Sequence, residues 1–139
     1  MNREQRALGW LAFAWLVAIV ATSGSLYFSQ IRHFMPCELC WYQRILMYPL
    51  VLILGIAVYR LDVGVRPYVL AMTLTGGTIS LIHYLEQKVP AFHPTACAAT
   101  PIPCNTQYVH YLGGWLTIPM MALIAFALIT YSMLRLPRR

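Results

Sequence analysis

The chain has 139 residues, 60% of them hydrophobic and only 10% charged, with a formal net charge of +6. A soluble domain carries about a quarter charged residues, so this composition excludes an ordinary soluble domain and points to the membrane. The positive charge is not gathered into the cluster a nucleic-acid site would need. It lies between apolar runs, so it reads as a topology signal and no nucleic-acid partner is expected.

The first apolar run extends from Leu8 to about Gln30. Arg3 and Arg6 precede it as in a secretory signal, but it is longer than the 7 to 15 residues typical of a signal core, and an uncleaved first span is expected. Next comes the stretch PCELCWYQR, Pro36 to Arg44, which places Cys37 and Cys40 three apart and an arginine one turn later. The second run, Ile45 to Tyr59, is short for a crossing, which needs about 20 residues. Leu39, Trp41 and Tyr42 extend it by a turn and put the dithiol at the helix entrance. The third span covers 67–86 and carries His83 and Glu86 near its end. Buried ionisable groups in a bundle are functional candidates, although near a helix end they are more often interfacial hydrogen-bonding residues. From Gln87 to Gly114 runs a loop with Pro90, Pro94, Pro101 and Pro103, which forbid a long helix and flank Cys97 and Cys104. Tyr108, Val109, Tyr111, Leu112 and Trp115 read as an interfacial aromatic belt. A fourth span covers 115–134. Pro49, Pro119 and the Gly76–Gly77 pair are expected to mark kinks and close packing. The fold expected is an all-α integral membrane bundle: one domain, spans near 8–30, 41–59, 67–86 and 115–134, and two extracytoplasmic loops.

The ten Lys and Arg residues orient this bundle. Arg3, Arg6, Arg60, Arg66, Arg135, Arg138 and Arg139 fall at one end; Arg32, Arg44 and Lys88 fall at the other. An excess of Lys and Arg marks the cytoplasmic side, so both termini are expected inside and all four cysteines outside, where thiols can be kept oxidised.

With residues 37 to 44 as the first turns of a helix, Cys37, Cys40 and Arg44 share one narrow sector. Pro36 suits a helix start. The helix dipole and the guanidinium both favour a thiolate, and CxxC pairs are associated with reactive thiols. Other readings stand beside this one. A zinc site favours C-x2-C twice, whereas the second pair is C-x6-C. Two structural staples are possible, although a CxxC ring is too small to stabilise much. Arg44 alone would read as an interface anchor.

A dithiol that turns over needs an acceptor. There is no G-x-G-x-x-G motif and no room for a nucleotide-binding domain. Only His83 lies in a span, with His33, His93 and His110 in loops, which argues against a bis-histidine haem. A lipid-soluble quinone fits, and Arg44 can donate hydrogen bonds to its oxygen. Cys97 and Cys104, in a proline-restricted outer loop, suit exchange with a soluble thiol protein.

PCELCWYQR resembles the P-C-x-L-C-x-x-x-R signature of the disulfide bond formation protein B (DsbB) family, membrane thiol:quinone oxidoreductases. SLYFSQIRHFMPCELCWYQRILMYPL and HYLEQKVP look closest to its short Gram-positive members, called BdbC, and the resemblance covers essentially the whole chain. It implies that Cys37 and Cys40 are the quinone-proximal pair, with Cys40 facing the quinone, and that Arg44 supports quinone binding. It implies further that Cys97 and Cys104 exchange with an extracytoplasmic thioredoxin-fold thiol oxidase of the DsbA/BdbD kind, Cys97 forming the mixed disulfide. The implied activity is regeneration of that oxidase, in the bacterial plasma membrane, with electrons passing to a quinone, menaquinone if the Gram-positive likeness holds. The C-x6-C spacing is tighter than in Gram-negative members, so the order of exchange between loops is not carried over. The alternatives are a quinone or vitamin K reductase-like four-helix enzyme and a disulfide-stapled scaffold.

Overall fold

The computed structural model describes residues 2–33, 38–89 and 116–138. Four helices carry them: α1 (Arg3–Leu26), α2 (Glu38–Arg60), α3 (Arg66–Lys88) and α4 (Ile118–Arg135). All four are long and apolar enough to cross a membrane. The protein is thus an all-α, multi-pass membrane bundle. α2 takes in Leu39, Trp41 and Tyr42 at its start, and of these only Leu39 is buried.

Each helix turns one stripe inward at the three- and four-residue spacing of an α-helix. On α1 the stripe is Ala7, Leu11, Ala14 and Ala18; on α2 it is Leu39, Gln43, Met47, Leu50, Leu54 and Ala57. On α3 it is Val69, Thr73, Gly76, Ser80, His83 and Glu86. On α4 Ala125, Phe126, Ile129 and Met133 face in. Large apolar side chains such as Leu16, Val20, Leu52 and Leu74 stand on the outside, where hydrocarbon rather than water makes them inexpensive.

The helices close into a ring in chain order, with α4 packed back on α1. Arg3 Nη2 donates to the carbonyl of Arg138 at 2.8 Å, and Trp10 meets Tyr131 edge-on at 5.7 Å, so the first and last helices share one end. Trp15 Nε1 donates to the Val51 carbonyl at 3.0 Å, beside Gly55, where a side chain would crowd the indole. Thr130 Oγ1 donates to Thr73 Oγ1 at 2.9 Å between α4 and α3. One turn farther along α3, a Cβ on Gly76 would run into the ring of Phe126. Gly76 is therefore the close-packing point, while Gly77 has only ordinary contact.

Prolines divide by position. Pro49 lies inside α2, but Pro119 sits in the first turn of α4. There its missing N–H is one that a helix start leaves unbonded in any case. The expected kink at Pro119 is a helix start. α2 ends in a reverse turn in which Asp62 N–H bonds the Ala57 carbonyl at 2.9 Å and Leu61 N–H that of Val58 at 3.4 Å. Leu61 takes the left-handed conformation, φ 53°, that such an end requires and that glycine usually fills.

The other end of α1 departs from regular helix. Its last turn, Tyr27–Ile31, is a π-helix. Such wide turns frequently sit at functional sites.

Candidate functional site

Cys40 lies in the first turns of α2, half-buried. Its Sγ is 3.9 Å from Nδ1 of His83 on α3. His83 is 1% exposed and Glu86, one turn beyond it, is 6% exposed. These two are therefore buried groups of the bundle interior and not the interfacial pair that a helix-end position favours. The stripe on which they lie explains the difference: Thr73, Gly76, Ser80, His83 and Glu86 repeat at three- and four-residue steps, which keeps the whole series on the inner face of α3.

Gln43 completes the contact. It is one turn after Cys40 on α2, buried at 5% exposure, and its Nε2 lies 3.0 Å from the same Nδ1 of His83. The hydrogen bond joins residues forty apart in the chain, so no local pattern announces it. A signal was nevertheless present, because a glutamine in an otherwise apolar span must find a partner when it is buried.

Arg44 turns the other way. Its Nη1 donates to Ser29 Oγ at 3.4 Å and its Nη2 to the Ser25 carbonyl at 3.5 Å, both on α1. Its guanidinium lies 5.3 Å from the centre of the Trp41 ring. Ser29 belongs to the π-helical turn, and Ser25 Oγ also meets the Tyr48 hydroxyl of α2 at 3.0 Å. Cys40 and Arg44 are thus one turn apart on α2 yet engage different neighbours, α3 and α1. At one end of an apolar bundle, Cys40 has an imidazole beside it, and Arg44 follows one turn along its own helix but is turned toward α1. A family model described as "Disulfide bond formation protein DsbB" matches residues 5–135.

The chain belongs to the DsbB family.

It is 58% identical over 120 residues to disulfide bond formation protein C of Bacillus subtilis, with 86% of each chain covered. It is 48% identical over 126 residues to probable disulfide formation protein C 1 of Bacillus anthracis, covering 91% of this chain and 90% of that one. A probable disulfide formation protein of Coxiella burnetii is 41% identical over 126 residues, 89% of this chain and 84% of the relative. No solved structure matches. The likeness to the short Gram-positive members, expected from SLYFSQIRHFMPCELCWYQRILMYPL and HYLEQKVP, holds across most of the chain.

For a DsbB-family chain the remaining expected site residues fall as follows. Cys37, Cys97 and Cys104 lie outside the described residues, as do His93, His110 and the aromatic series Tyr108 to Trp115. His33 and Arg32 are exposed past the end of the π-helical turn, and Lys88 lies over the Tyr84 ring at 5.9 Å. Of the residues that sequence reasoning singled out, the structure brings together Cys40 and His83. It adds Gln43, Ser25, Ser29 and Tyr48, which that reasoning did not name.

Proposed function

We propose that this DsbB-family membrane protein is a thiol:quinone oxidoreductase that reoxidises an extracytoplasmic thioredoxin-fold dithiol oxidase. The observation that carries the reading is the environment of Cys40, which has an imidazole nitrogen at 3.9 Å and an arginine one turn along its own helix. Two thiols that form a disulfide lose two electrons and two protons, and a bound quinone takes up both as the quinol. The residues present fit such a group. Arg44 uses two of its five N–H donors in bonds that are long, 3.4 and 3.5 Å, so it can hold a carbonyl oxygen that gains charge. His83 Nδ1 is placed to take the Cys40 proton, which keeps proton and electron leaving the same residue. Menaquinone is the acceptor that the kinship with the Bacillus proteins favours.

The relay runs inward. A reduced partner gives its electrons to Cys97–Cys104, and these pass them to Cys37–Cys40, each transfer being attack of a thiolate on a disulfide sulfur. Both termini lie in the cytoplasm and both cysteine loops outside in this reading, which the seven basic residues gathered at one end favour. An impermeant thiol reagent should label Cys97 in reduced intact cells; labelling only after lysis overturns the orientation.

Anaerobic mixing of the purified protein with a reduced thioredoxin-fold dithiol protein and a short-chain menaquinone tests the activity. Quinol should appear in step with partner oxidation. Full partner binding with no quinol formed would reduce the loops to staples, and thiols generated at the expense of added quinol would reverse the assigned direction.

A further inference from the structure

The contact between Gln43 and His83 constrains where the imidazole keeps its proton. Gln43 Nε2 is 3.0 Å from Nδ1, and an amide nitrogen only donates. With the amide nitrogen as the donor, the ring nitrogen it meets is the acceptor and the ring carries its proton on Nε2. Cys40 Sγ lies 3.9 Å from that same Nδ1. A ring nitrogen offers one in-plane lone pair, so the amide N–H and the thiol S–H compete for it.

We propose that Gln43 is a positioning residue that fixes the tautomer of His83, keeping Nδ1 free of a proton and turned to Cys40, and then holds the proton that Nδ1 receives from the thiol. The inference rests on reading Cys40 as the thiol that delivers electrons to the acceptor. In the transfer the Cys40 S–H bond breaks and an Nδ1–H bond forms. A neutral thiol and neutral imidazole become a thiolate and an imidazolium, with no net change in charge. Before the transfer the amide presents its N–H to the Nδ1 lone pair. Afterwards Nδ1 is itself a donor, and the amide turns over so that Oε1 accepts from it.

Glutamine suits both positions because it carries a donor and an acceptor on one rotatable group. Burial gives the latch its force. At 5% and 1% exposure the two side chains have little water to turn to, and an unmade hydrogen bond at such a place costs more than one at the surface. Methionine at position 43 would fill nearly the same space with the same unbranched stem and would offer neither group.

The test uses the full-length protein, reduced, with its histidines labelled by ¹⁵N and the His83 signals identified by their loss in His83→Ala. Wild type should show a protonated Nε2 and a bare Nδ1. In Gln43→Met the ring should populate both tautomers. Quinol formation from dithiothreitol and a short-chain menaquinone should fall about tenfold in kcat, with the KM for quinone unchanged, part of the 10²- to 10⁴-fold that positioned proton transfer can contribute. A wild-type ring protonated on Nδ1 overturns the proposal without any variant. So does a Gln43→Met protein whose tautomer and turnover match wild type. If wild type makes no quinol at all, the oxidoreductase reading fails, while the tautomer measurement still decides the role of Gln43.

Discussion

The two halves of the bundle are built on different principles. Toward the arginine-rich end the interior is mostly hydrocarbon: Leu11, Leu50, Leu54, Ile129 and Met133 are fully buried, and the buried hydroxyls of Thr73 and Ser132 are hydrogen-bonded to Thr130 and the Leu128 carbonyl. Toward the other end Gln43, Ser80, His83, Glu86 and Thr117 are buried instead. Polar groups in a low-dielectric interior are costly unless bonded; here Gln43 meets His83, while Ser80 Oγ and Thr117 Oγ1 are buried with no hydrogen-bond partner among the described residues. The buried polar side chains thus gather toward the end of the bundle that carries Cys40.

If that division is right, substitutions in the two halves should fail in different assays. The largest effect is expected from Cys40→Ser, which should abolish thiol-dependent quinol formation while leaving the unfolding midpoint in detergent nearly unchanged; a parallel loss of stability would place Cys40 among the structural residues. Phe126→Ala should do the reverse. It removes a fully buried ring from the α3–α4 contact, at a cost of about 3–5 kcal/mol, and the protein that remains folded should turn over at the wild-type rate. Arg44→Ala comes next. It should raise the KM for quinone about tenfold or more, since a hydrogen bond involving a charged group contributes about 1.5–3 kcal/mol, and leave exchange at Cys97–Cys104 intact. Lysine there should restore only part of the affinity because it lacks the planar fork, and an unchanged KM in both variants would leave Arg44 as an anchor to α1. The smallest change is Thr130→Val. A hydrogen bond between helices in a membrane contributes about 0.6 kcal/mol on average, so a small shift in unfolding and none in turnover is expected.

The parts of this arrangement that sequence could announce are those that depend on near neighbours. Span lengths, Cys40 in the first turns of α2 and the gathering of arginines at one end are all local or additive properties of the chain. The pairing of His83 with Cys40 and Gln43 is not, because it depends on which face of α3 meets which face of α2. Half of it was still accessible: the three- and four-residue steps from Thr73 to Glu86 already put His83 on the stripe that includes Gly76, and glycine in a membrane helix marks the packed side. The turn of Arg44 toward α1 was hidden for a different reason. Cys40 and Arg44 are four apart and so share a helix face in projection, but a long arginine reaches sideways to whatever accepts its N–H groups, and the acceptors are Ser25, just before a π-helical turn, and Ser29, within it, a turn whose presence no residue pattern signalled.

The contact between Gly76 and Phe126 limits how sequences of this kind can drift. Every replacement of a glycine adds at least a Cβ, and at position 76 that atom has no space while the ring stands where it does. Either the ring or α3 would have to shift, and a shift of α3 would carry His83, two turns along the same helix, away from Cys40. Positions 76 and 126 are thus coupled. A related chain with alanine or serine at the first should have a smaller side chain at the second, and in a double-substitution cycle Phe126→Leu should help in the presence of Gly76→Ala although it harms alone.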